Sequence, residues 1–90
     1  MSIHYDNIMN NFKKAKGSIN KVIHMLEEEK YCIDVMQQNL AAIGLLKAAH
    51  QMIMEDHLGS CFAKAMSSTN TKRKRQMIEE ILKVSKLSNK

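Results

Sequence analysis

The sequence predicts an all-α fold of three helices per protomer, with the long middle helix pairing antiparallel with its copy in a dimeric four-helix bundle. Three observations predict it. The 90 residues hold no proline and only three glycines, a composition that favours long helices over many short strands. Apolar residues make up 44% of the chain yet only 4% are aromatic, so Leu, Ile, Val and Met must fill the core. A single domain of this size, residues 1–90, buries only about 60–65% of its unfolded surface alone, which favours protomers that share a core.

The first helix is expected over about residues 5–28. Its apolar positions are Tyr5, Ile8, Phe12, Ala15, Ile19, Val22 and Leu26, in alternating steps of three and four. That is the seam of a helix lying along another helix. Gly17 interrupts it at a cost of roughly 1 kcal/mol relative to alanine. Glu27, Glu28, Glu29 and Lys30 carry no apolar period, which places a break there, with Asp34 as a cap for the second helix.

The second helix is expected over about residues 32–66. Leu40, Ile43, Leu46, Ala49 and Ile53 keep helical spacing, and no proline or strong turn signal intervenes before Ser67. Such a helix is about 50 Å long at roughly 1.5 Å per residue, and it cannot fold back to cover itself. Residues 67–71, Ser-Ser-Thr-Asn-Thr, read as a turn with N-cap candidates. A third helix, about residues 72–87, buries Met77 or Ile78, Ile81, Val84 and Leu87.

No segment reaches the roughly 18 consecutive apolar residues of a membrane span, and the N-terminus lacks the layout of a secretory signal. A cytoplasmic location is expected, where two cysteines point to metal or redox chemistry rather than a structural disulfide. Fourteen basic against nine acidic side chains give a formal charge of +5, compatible with a polyanionic partner.

His57 and Cys61 lie four positions apart, so on a helix they leave the same face one turn apart. Imidazole and thiolate at that spacing can share one ion, although a half-buried histidine beside an inert cysteine has the same pattern. Cys32 sharpens the reading. It precedes His57 by 25 residues, roughly 37 Å of helix, and cannot reach the same ion within one chain. Antiparallel pairing of two long helices brings Cys32 of one protomer beside His57 and Cys61 of the other, and two-fold symmetry makes two such sites. Two thiolates and one imidazole suit Cu(I), with Zn(II) as competitor.

The block Tyr31-Cys32-Ile33-Asp34-Val35, followed by Asp56-His57-Leu58-Gly59-Ser60-Cys61, resembles the copper-sensitive operon repressor (CsoR) family. The resemblance covers about residues 13–84. It implies helical dimers assembled into disc-shaped homotetramers that bind operator DNA without metal and release it when the effector binds. Carried over position by position, Cys32, His57 and Cys61 match the Cu(I) ligands. Tyr31 and Glu80 match the pair that links the site to the rest of the fold. Nickel- and cobalt-responsive members add an N-terminal histidine, and the only candidate, His4, stands 28 residues before Cys32, nearer than the family spacing. It is expected at the surface. His57 argues against the persulfide-sensing branch, Cys61 against the formaldehyde-responsive one. His24 and His50 match no ligand, and His50 is expected at a protomer contact.

For DNA the chain offers Lys13, Lys14, Lys16 and Lys21 on the first helix, Lys47 on the second, and Arg73 and Arg75 within the run 72–75. No helix-turn-helix or zinc finger is present. Asn11 stands where the family carries an arginine, and Ala48, beside Lys47, stands near the second. Lysine holds phosphates but lacks arginine's bidentate fork. The function expected is a metal-responsive repressor released by Cu(I). The alternatives are a sensor of nickel, zinc or persulfide, or a metal-binding bundle with no DNA role. Nothing pairs a nucleophile with a base, so no enzyme is expected.

Overall fold

The computed structural model describes residues 4–88, and among these there is helix but no strand. The elements are α1 (Tyr5–Glu27), α2 (Cys32–His57), a wide π-helical turn at Leu58–Phe62, α3 (Ala63–Met66) and α4 (Thr71–Ser88). The chain divides into two compact units, Met1–Glu55 and Asp56–Lys90.

In the first unit α1 ends where its apolar period ends. The N–H of Glu29 donates to Leu26 O at 3.1 Å and that of Lys30 to Met25 O at 2.9 Å, the paired bonds of a Schellman stop. Glu29 takes the left-handed conformation, φ 53°, that such a stop usually gives to glycine. Three residues later α2 begins, with Val35 N–H donating to Tyr31 O. Asp34 therefore lies inside the first turn of α2, not at its cap. His4 Nε2 stands 3.3 Å from Glu55 Oε2, so the start of α1 meets the far part of α2 and the two helices run antiparallel.

The two helices bury less of their apolar surface than the sequence pattern suggests. On α1 the covered positions are Ile8, Asn11, Ala15, Ser18, Val22 and Met25. Four of the seven seam positions, Tyr5, Phe12, Ile19 and Leu26, face outward. On α2 the covered line is Val35, Gln38, Ala42, Leu45, Ala49 and Met52. Of the stripe expected there only Ala49 is buried, while Leu40, Ile43, Leu46 and Ile53 are exposed. The fully buried residues of this unit, Ala15, Ala42 and Ala49, are all alanines. The helix α2 is apolar nearly all round, so periodicity could not single out its inner face.

The helical stretch expected over residues 32–66 is helical throughout, with one irregular turn at residues 58–62. There Ala63 N–H reaches back five residues to Leu58 O, which widens the turn. Ser60 Oγ donates to Asp56 O at 2.6 Å, a hydroxyl-to-backbone bond one turn back of the kind that often accompanies local bending. After α3 the chain turns through hydroxyl bonds, Ser67 Oγ to Lys64 O and Ser68 Oγ to Ala65 O. Asn70 Oδ1 accepts from the Arg73 N–H at 3.1 Å and caps α4. α3 packs on α4. Ala65 and Met77 are buried there, Ile81 is half-buried, and Ile78, Val84 and Leu87 are exposed. Among the described residues no helix is long and apolar enough to cross a membrane.

Candidate functional site

The chain's two thiols, Cys32 and Cys61, are free and exposed. Cys32 is the first residue of α2, where its position follows from the Schellman stop that turns the chain. His57 is the last residue of α2 and half-buried. Cys61 follows within the widened turn, so the step from His57 to Cys61 is not the regular α-turn that the spacing alone predicts. The signal for this was present as the adjacent Gly59 and Ser60, a pair that commonly marks helix irregularity.

Among the described residues no three histidine, cysteine, aspartate or glutamate side chains converge on one point. A three-donor site within a single chain is therefore absent from this region. The donor chemistry itself fits a soft metal, since accessible thiols and an imidazole prefer Cu(I) or zinc over hard cations. Beside His57, Asp56 Oδ2 is buried with no hydrogen-bond partner. It was not a sequence candidate.

Tyr31 is 67% exposed immediately before α2. Glu80 is exposed on α4, where it shares a shallow surface with Gln76, Glu79 and Lys83. Neither side chain has a hydrogen bond or ion pair among the described residues. His24 pairs with Glu28 at 3.0 Å, His50 is exposed, and His4 is occupied by Glu55.

The candidate DNA-facing cations Lys13, Lys14, Lys16, Lys21, Lys47, Arg73 and Arg75 are all exposed, and among the described residues none is ion-paired. Asn11 lies half-buried on the covered line of α1, whereas Ala48 is exposed on α2. The charge is unevenly divided. Residues 1–55 carry six Lys/Arg and six Asp/Glu, and residues 56–90 carry eight and three, so the whole excess of +5 belongs to the second unit.

Comparison with known proteins gives a consistent picture. The family model described as metal-sensitive transcriptional repressor matches residues 4–86. The copper-sensing transcriptional repressor CsoR of Bacillus subtilis (strain 168) is 32% identical over 81 residues, 90% of this chain and 77% of that protein. CsoR of Mycobacterium ulcerans (strain Agy99) is 38% identical over 58 residues, 64% of this chain and 50% of that one. The chain thus spans about half the length of the mycobacterial CsoR proteins it matches. The crystal structure of the copper-sensing repressor CsoR with Cu(I) from Geobacillus thermodenitrificans NG80-2 superposes with a TM-score of 0.86 at 29% identity, covering 100% of this chain and 91% of that one. With the family model matched across nearly its whole length, the chain belongs to the metal-sensitive transcriptional repressors, the CsoR family.

Proposed function

We propose that the chain is a transcriptional repressor that binds operator DNA in its metal-free form and releases it when Cu(I) binds. The ligands are Cys32 of one protomer with His57 and Cys61 of another. The observation that carries this reading is that α2 begins at Cys32 and ends at His57, while no three donors converge among the described residues of the chain. A second copy supplies what one chain lacks. The outward positions of the α1 seam and the exposed Leu40, Ile43 and Ile53 of α2 provide the apolar surface for that copy. On this reading the chain associates with itself, as a homodimer or as the homotetramer that the family resemblance implies.

Cu(I) would be held by the Cys32 and Cys61 thiolates and the His57 imidazole, and its binding would be accompanied by loss of the thiol protons. The chain's own contribution is to hold Cys32 at the start of α2, His57 at its end and Cys61 in the widened turn that follows. Tyr31 and Glu80 transmit occupancy to the rest of the fold, and the lysines and arginines named above hold the phosphate backbone. The test is anaerobic titration with Cu(I), Ni(II) and Zn(II), scored by release of a fragment of the protein's own promoter. Release by Cu(I) at about one ion per protomer is expected. A protein that never shifts promoter DNA in a salt-sensitive, sequence-selective way is a metal-binding bundle and not a repressor.

A further inference from the structure

The second unit contains a surface hollow of about 350 Å³ lined by Cys61, Lys64, Ala65, Ser68 and Arg73. Lys64 comes from α3 and Arg73 from α4, so two cations on different elements share one depression. No carboxylate lines it. Among the described residues neither cation has an ion-pair partner. The turn between them is fixed by side-chain bonds, Ser67 Oγ and Ser68 Oγ to carbonyls of α3 and Asn70 Oδ1 to the Arg73 N–H. Ser68's hydroxyl proton and the capped amide are therefore engaged, which leaves the ammonium and guanidinium as the donors that face the hollow.

Two unneutralised cations lining one hollow, brought there by a hydrogen-bonded turn in the unit that carries the chain's whole positive excess, suit a phosphodiester oxygen pair. We infer that this hollow is a seat for one backbone phosphate of duplex DNA, with Lys64 and Arg73 as its donors and Cys61 as its wall. The inference rests on the repressor reading and extends it to Lys64, which neither spacing nor resemblance singled out. It also places one residue in both functions. Cys61 belongs to the proposed metal set and to the rim of the phosphate seat, so it cannot be drawn toward a metal and leave the seat unchanged. Metal and DNA would then oppose each other through a shared side chain, by an equal factor in both directions.

The experiment uses metal-free protein with a chelator present. Cys61 and Cys32 are alkylated with iodoacetamide, and each is followed by peptide mass spectrometry, with and without saturating promoter duplex. DNA is expected to slow Cys61 alkylation more than that of Cys32, and Lys64→Gln with Arg73→Gln should abolish that difference. The double variant should weaken promoter binding roughly tenfold or more, the scale of lost charge-assisted bonds. It should also reduce the magnitude of the log–log salt slope by about one per seat. Lys64→Arg, which keeps both charges, should retain both readouts at the parent's level, and Lys86→Gln, on α4 outside the hollow, should leave Cys61 protection intact. Circular dichroism of each variant confirms that helicity is retained. A double variant that binds DNA with the parent's affinity and slope overturns the seat, as does DNA that leaves Cys61 as reactive as before. Equal protection by inorganic phosphate at the same concentration overturns the assignment to DNA. A parent protein with no salt-sensitive DNA binding removes the repressor reading and the seat together.

Discussion

His4 Nε2 and Glu55 Oε2 stand 3.3 Å apart, joining the residue before α1 to the last part of α2. The relationship decides between two roles for His4, since an imidazole engaged by a carboxylate of its own unit serves the hairpin first. Both partners are partly exposed, with side chains at 31% and 49%, so the pair is worth less than about 1 kcal/mol. His4→Ala should lower unfolding stability by no more than that and leave Cu(I) and Ni(II) affinity unchanged. Calorimetric titration checks this, and a tenfold loss of Ni(II) affinity would make His4 a ligand.

Glu29 is strained by its own function as a helix stop. A non-glycine residue in the left-handed region costs roughly 1–2 kcal/mol, partly offset in glycine by greater unfolded-state freedom. Glu29→Gly should therefore stabilise the protein by about 0.5–1 kcal/mol. Urea unfolding at fixed protein concentration measures it, because an oligomer's midpoint shifts with concentration. A destabilised variant would show that the Schellman turn is not maintained in solution.

Asn70 caps α4 through the Arg73 N–H. Asn70→Ala should cost about 1 kcal/mol of stability. It should also weaken DNA binding without removing any positive charge, because the turn that brings Lys64 and Arg73 to one hollow loses a hydrogen bond. Asn70→Ser, which keeps an acceptor, should recover most of both losses. Unchanged DNA affinity in a destabilised Asn70→Ala would separate the cap from the DNA surface.

The features legible in the sequence were those with a local signal. The ends of α1 and α4 follow from the three-four spacing and from the turn-forming run at residues 67–71, and Asn70 was among the candidate caps. The proposed donor set Cys32, His57 and Cys61 rests on residue types at informative spacings and on the family resemblance, since no three donors converge among the described residues. The inner face of α2 was not, because apolar residues surround the helix and only packing against α1 selects Ala42 and Ala49. Glu29 carries no mark of a left-handed residue. The widened turn had its mark, Gly59-Ser60, but a continuing apolar period outweighed it. Lys64 was hidden for a different reason: its partner Arg73 lies nine residues on, and only the turn brings them to one hollow.

Sharing a metal site between chains has a consequence that no single-chain site has. Cys32→Ala and Cys61→Ala should each weaken Cu(I) binding by orders of magnitude, since each removes one of two thiolates from every site. Mixed and allowed to exchange subunits, the two dead variants should recover binding. In a heterodimer, the Cys61→Ala chain donates an intact Cys32, and the Cys32→Ala chain donates intact His57 and Cys61, so one of the two symmetric sites is complete. Random exchange makes half the dimers mixed, and the expected capacity is about a quarter of the parent's tight sites. The mixture is titrated anaerobically with Cu(I) against a competing chelator, with each variant alone as control. Ile19→Asp, placed among the outward positions of the α1 seam, should prevent recovery by blocking association while leaving the chain helical. If the mixture bound no more than its components while light scattering showed subunits exchanging, the ligands would not come from two chains and the inter-protomer site would be wrong.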